Sequence, residues 1–262
     1  MMNVACSFDK ADIDYGDQFR AGIIVPSGNV AAEAEIRAML PRGVAPLFTR
    51  LALRGSSEAE LIGMLSGLEG AAQLLADAKV GLIIFHCTAV STFAPQLAGD
   101  IRSRIERATG IRAFATSNAI LEAVKFLNIR QLLLLTPYIQ SVHAREVAFL
   151  AAHDIDVVDG GCLGIDTNAE MATLAPSALF DWAARHHSTG ADGYFLSCTA
   201  IRSAGIISRL EGFLGRPVIT SNQAMVWHLL QLARISKRVE GFGSLLGDTQ
   251  KLLEHGEALL KQ

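Results

Sequence analysis

The sequence predicts an α/β fold made of two pseudo-symmetric, Rossmann-like lobes with parallel sheets and a cleft between them. Apolar strand-like runs alternate along the chain with helix-length amphipathic segments, which is typical of a parallel sheet covered by helices. The run 132–135 is leucine at every position, as expected for a strand that is buried on both faces. Several short motifs also occur twice in the same order, which indicates two halves of similar design.

The internal repeat places two motifs at the same separation. A strand-like run that ends at Pro26 returns as a run that ends at Pro137, and these prolines lie 111 residues apart. The stretch Phe-His-Cys-Thr-Ala around Cys87 returns as Leu-Ser-Cys-Thr-Ala around Cys198, again 111 residues later. Because the offsets agree, we interpret the second half as a structural repeat of the first.

A third echo helps to set the domain boundaries. The tripeptide Thr-Ser-Asn occurs at 116–118 and at 220–222, an offset of 104 that a few residues of loop variation would explain. The predicted units are an N-terminal extension (1–20), a first lobe (21–115 with about 224–262) and a second lobe (116–223). Parallel strands present their functional groups at their carboxyl ends, where both cysteines and both prolines fall.

Composition excludes several classes of partner. A net charge of −3 over 262 residues, without a basic block, indicates no nucleic-acid partner and no anionic membrane surface. The apolar runs are far shorter than the roughly 18 to 20 residues of a membrane span. The aspartate-rich start of the chain lacks the features of a signal peptide, so we expect a cytoplasmic protein. No nucleotide-binding glycine motif is present, and no paired Cys or His spacing suggests zinc, so neither cofactor nor metal is expected.

Cys87 and Cys198 are the strongest candidates for chemistry. Each ends an apolar strand and precedes small or hydroxylated residues, Thr88 and Ala89 in one lobe and Thr199 and Ala200 in the other. Such a turn exposes backbone N–H groups at the start of a helix, where they can bind a carboxylate and lower a thiol pKa. A single buried cysteine is an ordinary core residue. Two cysteines at equivalent positions of a repeat favour function, with the turn residues as substrate contacts.

The sequence resembles the aspartate/glutamate racemase superfamily, and within it the branch of maleate cis-trans isomerases and arylmalonate decarboxylases. The likeness extends from about residue 21 to 232. The segments that carry it are the two cysteine turns, 24–29 (IVPSGN), 136–138 (TPY), 164–168 (GIDTN) and 217–222 (PVITSN). The resemblance implies two lobes with one cysteine each at a shared cleft, chemistry without a cofactor, and a homodimer or higher homo-oligomer.

The same resemblance implies three further substrate contacts. Asn29 matches an asparagine that contacts a substrate carboxylate, Tyr138 matches a tyrosine after the second-lobe proline, and Asn168 matches an asparagine in a later loop. Each also has an ordinary structural interpretation: a helix N-cap for Asn29, a half-buried aromatic for Tyr138 and a turn residue for Asn168. A structural role is favoured for His86, and no role is assigned to Cys6 or Cys162.

These features imply a small carboxylate substrate and an isomerase mechanism. A Cys87 thiolate would add to the double bond of a small cis-dicarboxylate such as maleate, and Cys198 would serve as acid and base at the neighbouring carbon. An amino- or hydroxy-acid racemase would need the same two thiols. An arylmalonate-type decarboxylase, as the family resemblance has it, needs only the second-lobe thiol, so the presence of Cys87 counts against it. A non-catalytic small-molecule binding protein is the alternative outside the enzymes.

Overall fold

Two parallel four-stranded sheets form the framework of the chain. The structure is a computed structural model that describes residues 13–247. In the first sheet the strands are β1 (Phe19–Pro26), β2 (Val44–Leu51), β3 (Leu82–Phe85) and β4 (Ala113–Ala115). In the second they are β5 (Gln131–Tyr138), β6 (Asp156–Ile165), β7 (Gly193–Leu196) and β8 (Val218–Thr220). The strand orders, β2-β1-β3-β4 and β6-β5-β7-β8, are the same, which confirms the predicted α/β fold with two similar lobes.

Helices connect the strands, as right-handed parallel crossovers require. Those of the first half are α1 (Ala32–Met39), α2 (Glu58–Gly63), α3 (Leu68–Asp77), α4 (Thr88–Ser91) and α5 (Leu97–Thr109). Those of the second half are α6 (Thr116–Phe126), α7 (Gln140–Ala151), α8 (Asn168–Met171), α9 (Pro176–Arg185), α10 (Ile207–Leu214), α11 (Ser221–Leu232) and α12 (Ser244–Gly247). Short 3-10 helices span Met64–Gly67 and Ala204–Ile206. None of the helices within residues 13–247 is long and apolar enough to span a membrane.

Both sheets contribute residues to two apolar cores, one on each face of the sheets. The central strands β3 and β7 are buried at all four of their positions, because helices cover them on both sides. On one face, α6 and α11 pack against each other between the sheets. The fully buried Trp227 of α11 lies against Phe126 of α6, with ring centroids 5.1 Å apart. This helix pair joins the lobes, so the carboxyl ends of both sheets are held at one cleft.

The last helix of each lobe begins in the same way, which corrects the register of the third sequence echo. Ala115 and Thr220 are the N-cap residues of α6 and α11, and the side chains of Asn118 and Gln223 accept their backbone N–H groups. These equivalent residues lie 105 positions apart, not 104. The two Thr-Ser-Asn tripeptides are therefore one residue out of register in space, because the helix start is set by the capping contact and not by the tripeptide.

The ends of the chain lie outside the described residues. Residues 1–12, which include Cys6 and most of the predicted N-terminal extension, belong to this part, as do residues 248–262. Within the described part, α11 contacts α1 of the first lobe, and α12 packs on α11.

Candidate active site

The two candidate thiols lie at equivalent turns of the two lobes. Cys87 follows β3 and is the N-cap residue of α4, while Cys198 follows β7. Both are buried, with 4% and 2% of their surface exposed. Burial, and to a smaller extent the charge of Cys198, raises the pKa of Cys87, so the two thiols interact electrostatically. Both thiols are therefore covered by the surrounding residues.

Each sulphur accepts hydrogen bonds from the backbone of its own turn. The N–H groups of Ala89 and Val90 donate to Cys87, and those of Ala200 and Ile201 donate to Cys198. The Ala200 N to Cys198 Sγ distance is 3.2 Å. These bonds lower the pKa of each thiol, but burial has the larger effect and raises both pKa values to about 12.

The two turns differ in backbone conformation although their Cys-Thr-Ala sequences are identical. Cys87 has an extended backbone with a φ of −149°. Cys198 has a φ of 126°, a backbone angle that residues other than glycine rarely adopt. A residue held in such a region costs about 1–3 kcal/mol and persists where surrounding contacts hold it. The second-lobe turn is therefore the strained one of the pair.

Two buried hydrogen bonds run between the lobes at the cysteine turns. The hydroxyl of Thr88 donates to Ser221 Oγ over 2.9 Å, and the side-chain amide of Asn29 donates to Thr199 Oγ1 over 3.0 Å. Within the second lobe, the backbone N–H of Cys198 donates to the same Ser221 oxygen over 3.1 Å. The residues after the two cysteines are thus positioned by groups from the opposite lobe or its last helix. The sequence analysis missed Ser221, which it treated only as part of a repeated tripeptide.

Asn29 has the helix-capping role that its sequence allows, and its side chain also reaches the second lobe. It is fully buried, and its Oδ1 accepts the backbone N–H groups of Ala31 and Ala32 at the start of α1, at 3.1 and 3.0 Å. Its amide group is left to point across the cleft towards Thr199. The capping contacts fix the rotamer of Asn29, so its amide is oriented in advance for a group in the cleft.

Tyr138 lies at the end of β5 beside the second thiol. It is 3% exposed, and its hydroxyl donates a hydrogen bond to Cys198. Burial, followed by the charges of Cys198 and Glu146, raises the pKa of Tyr138 well above its usual value. The phenol therefore stays protonated and acts as a hydrogen-bond donor at the thiol.

A segment of the second lobe closes the cleft over the thiols. Asn168 begins α8 next to the first-lobe loop, with its Cβ 3.5 Å from where a Cβ on Gly28 would lie. Asp166 Oδ1 accepts the backbone N–H of Ser56 at 3.0 Å and also the Ser56 hydroxyl. Met171, at the end of α8, places its sulphur 3.6 Å from Cys198 Sγ. The structure thus brings Asn168 to the cleft, together with an apolar contact that the sequence analysis did not identify.

His86 is held in a buried polar network behind the cysteine turns. Its Nε2 donates to Asn222 Oδ1 over 2.8 Å, and its Nδ1 lies 3.1 Å from Thr116 Oγ1. Asn222 in turn donates to Glu35 and to the Thr199 carbonyl oxygen, at 2.7 and 3.3 Å. Burial lowers the pKa of His86 to about 4, so the ring is neutral at physiological pH. These contacts have a structural role, because Asn222 links His86, which precedes Cys87, to Thr199, which follows Cys198.

The remaining candidates lie apart from this constellation. Cys162, on β6, is half-buried and donates its thiol to Gln140 Oε1 at 3.1 Å. Across residues 13–247, no group of three or more His, Cys, Asp or Glu side chains is arranged to hold a metal ion.

Comparison with known proteins identifies several relatives. A maleate isomerase from Alcaligenes faecalis is 26% identical over 247 residues, covering 87% of this chain and 96% of that protein. An arylmalonate decarboxylase from Bordetella bronchiseptica is 32% identical over 150 residues, covering 55% and 62%. The crystal structure of a Nocardia farcinica maleate cis-trans isomerase, a mutant with a covalently bound succinylcysteine intermediate, is 21% identical. It superposes with a TM-score of 0.82 over 87% of this chain and 98% of the other.

A family model decides the classification, because it matches nearly the whole described chain. The match runs over residues 21–246 and includes both sheets, both cysteine turns and the segment that closes the cleft. The chain belongs to the arylmalonate decarboxylase family.

Proposed function

We propose that this protein is a cofactor-independent cis-trans isomerase that converts a small unsaturated dicarboxylate such as maleate, using Cys87 as nucleophile and Cys198 as acid and base. The observation that carries the proposal is the presence of two buried thiols at equivalent turns, each with two backbone N–H donors. The maleate isomerases among its relatives, one of them with a succinylcysteine intermediate, support this chemistry.

The first step forms a carbon–sulphur bond. The Cys87 thiolate, having lost its proton to solvent while the cleft is open, adds to one alkene carbon. The π electron pair moves onto the other carbon and its carboxylate, giving an enediolate-like charge. The amide of Asn29 and the backbone N–H groups of the cysteine turns are placed to stabilise that charge more than they stabilise the substrate.

Proton transfer and bond rotation complete the isomerisation. The Cys198 thiol donates its proton to the charged carbon, which leaves a succinyl group bound to Cys87 through the carbon–sulphur bond. The former double bond of this group is now a carbon–carbon single bond that can rotate. The resulting Cys198 thiolate, which accepts the hydrogen bond of Tyr138, then removes a proton from the same carbon. The electron pair re-forms the double bond and expels the Cys87 thiolate, which yields the trans product.

Proton NMR in deuterated water tests this proposal directly. Incubation with maleate should give fumarate without any added cofactor. Conversion of an arylmalonate to the monoacid, with maleate unchanged, would indicate a decarboxylase instead. Deuterium at the α-carbon of an amino or hydroxy acid would indicate a racemase, and binding without turnover of any of these would indicate a binding protein.

The substrate-contact set and the assembly state extend the proposal. We assign substrate contacts to Asn29, Tyr138 and Asn168, and to the two residues that follow each cysteine. The residues that follow the cysteines are Thr88, Ala89, Thr199 and Ala200. The family resemblance supports a homodimer or higher homo-oligomer, which light scattering of the purified protein measures. The separation into a first lobe (21–115 with about 224–262) and a second lobe (116–223) is tested by limited proteolysis.

A further inference from the structure

Glu146 is a buried carboxyl group that the isomerase mechanism does not use. It lies in α7 with 1% of its surface exposed, and the Ser197 hydroxyl lies 2.7 and 2.9 Å from its two oxygens. Ser197 directly precedes Cys198. Within residues 13–247, no cationic side chain forms an ion pair with Glu146. A buried carboxylate without a cation is costly, so its position calls for a physical reason.

The repeat supplies a reference for Glu146 in the other lobe. Glu35, on α1, lies 111 residues earlier, the same offset that relates the two cysteines. Glu35 accepts the Ala204 N–H at 2.8 Å and the Asn222 amide at 2.7 Å, so it ties α1 to the second lobe. In the part of the chain that the structure describes, Glu146 makes no such tie, and its hydrogen bonds come from Ser197. The two equivalent carboxyl groups therefore have different surroundings. Glu35 is hydrogen-bonded to residues of the second lobe, whereas Glu146 lies beside the second cysteine turn of its own lobe.

The electrostatic effect of Glu146 falls on the second-lobe groups. Its charge raises the pKa of Cys198 and of Tyr138. Burial raises the pKa of Glu146 itself to about 7, so the carboxyl group changes its charge near neutral pH. On its own helix, His143 lies one turn earlier at 3.0 Å from Thr136 Oγ1, and burial lowers the pKa of that histidine. Among the described residues, Ser197 contacts Glu146, and Tyr138 and Cys198 are coupled to its charge.

We propose that Glu146 is a positioning residue of the second cysteine turn, holding Cys198 in the protonated form through its charge and through Ser197. This inference rests on the proposed isomerase, in which Cys198 must begin as a proton donor and Cys87 as a thiolate. A negative charge beside Cys198 opposes loss of its proton, because two like charges would then lie close together. His86, which takes the place of Ser197 in the first lobe, is neutral and exerts no such effect on Cys87.

Alkylation of each thiol as a function of pH tests the inference without any substrate. Iodoacetamide is reacted with the full chain over a range of pH values, and peptide mass spectrometry reports the rates at Cys87 and Cys198 separately. Glu146→Gln keeps the shape and the Ser197 contact but removes the charge. We expect the pH midpoint of Cys198 alkylation to fall by about one unit, which is a tenfold higher rate at a fixed pH below the midpoint. The midpoint of Cys87 should move much less.

Matched variants separate charge from structure. Glu35→Gln changes the equivalent carboxyl group of the first lobe and should leave the Cys198 midpoint in place, and Glu146→Asp should restore it. An unchanged Cys198 midpoint in Glu146→Gln, or an equal shift in Glu35→Gln, would overturn the inference. If Glu146→Gln does not fold, Glu146→Met serves instead. It also removes the charge, and the same downward shift is expected. A protein inactive on maleate would refute the proposed function but leave this readout intact.

Discussion

The Thr88 and Ser221 hydroxyl oxygens lie 2.9 Å apart, and this contact joins the turn of Cys87 to the helix that supports Cys198. Ser221 Oγ also accepts the Cys198 backbone N–H. One oxygen thus sets the position of both thiol turns, one from each lobe. Reactions between groups held at a fixed separation can gain a large part of their rate from such positioning.

Replacement of Ser221 by alanine should therefore affect both stability and turnover. The change removes the common acceptor and leaves the buried N–H of Cys198 without that partner. A buried unsatisfied group costs about 1–3 kcal/mol of unfolding free energy, and we expect kcat/KM to fall at least tenfold. Urea denaturation and steady-state kinetics measure the two effects. Ser66→Ala, at an exposed serine whose hydroxyl donates to a helix carbonyl, is the control. Wild-type values for Ser221→Ala would contradict the bridging role.

The two cysteine-to-serine variants should fail at different steps. Each should lower turnover at least about a hundredfold, within the range that general acid–base and nucleophilic groups contribute. With Cys198→Ser, maleate should accumulate as a covalent succinyl adduct on Cys87, because water can protonate the enediolate slowly but no thiolate is left to remove that proton and drive elimination. Cys87→Ser should form no adduct. Peptide mass spectrometry identifies the modified residue, and an adduct on Cys198 in Cys87→Ser would reverse the two assignments.

The backbone strain at Cys198 should appear as a preference for glycine. At φ of 126°, Cys198→Gly should be at least as stable as Cys198→Ala, because glycine adopts this region without steric cost. At the extended Cys87, the order should be reversed, with Cys87→Gly about 1 kcal/mol less stable than Cys87→Ala. Each comparison uses two small residues at one site, so cavity effects largely cancel. The same order at both sites, measured by urea denaturation, would argue against strain.

The free energy of unfolding below pH 6.5 should depend on His86 and Glu146, two buried groups whose titrations have opposite effects on it. The pKa of His86 is about 4 in the fold against 6.5 unfolded, so the unfolded chain gains a proton first and stability falls as pH drops from 6.5 to 4. The pKa of Glu146 is about 7 against 4.5, so the folded chain holds a proton longer and stability falls as pH rises from 4.5 to 7. In the wild type these effects offset each other between pH 4.5 and 6.5.

Single variants should reveal the two opposed slopes. His86→Gln leaves the Glu146 effect alone, so its unfolding free energy should increase on acidification, by about 1 kcal/mol per pH unit relative to the wild type. Glu146→Gln should show the opposite trend. Urea denaturation at each pH gives both curves. Curves that run parallel to the wild type would mean that these groups do not titrate as described.

Loss of the Asp166 contact should expose the thiols without changing their acidity. Asp166→Ala removes the acceptor that holds Ser56, and we expect alkylation of Cys87 and Cys198 to become several-fold faster at every pH, with unchanged midpoints. Asp181→Ala, at an exposed aspartate of α9, is the matched control. A shift of either midpoint in Asp166→Ala would show that access and acidity are coupled.

The parts of the fold that depend on local pattern were predictable. The leucine run 132–135 lies in β5, buried as expected, and the 111-residue repeat corresponds to two sheets of the same strand order. The Cys87 and Cys198 turns follow the central strands, because parallel strands end together at one edge. The helix-capping role of Asn29 was predictable because asparagine is a preferred residue at the start of a helix.

The parts that depend on how the lobes meet were not predictable. Two hydrogen bonds join residues more than 130 positions apart in the sequence, one between Thr88 and Ser221 and one between Asn29 and Thr199. Nothing in the sequence around these residues indicates which residue each of them contacts. Glu146 lies inside an ordinary amphipathic helix. The identical Cys-Thr-Ala stretches have opposite signs of φ at their cysteines, so local sequence alone does not determine the turn.

The segment from Asp166 to Met171 has a consequence for the timing of turnover. Because both thiols are covered and the Ser56 contact is formed, we expect a substrate to reach Cys87 only when this segment moves away from the first lobe. Entry and departure of each molecule would then require an opening of the cleft, a motion on the microsecond to millisecond scale in many enzymes. Where this opening is slower than the chemical steps, the highest rate is set by how often the segment detaches, and it decreases in a viscous solvent.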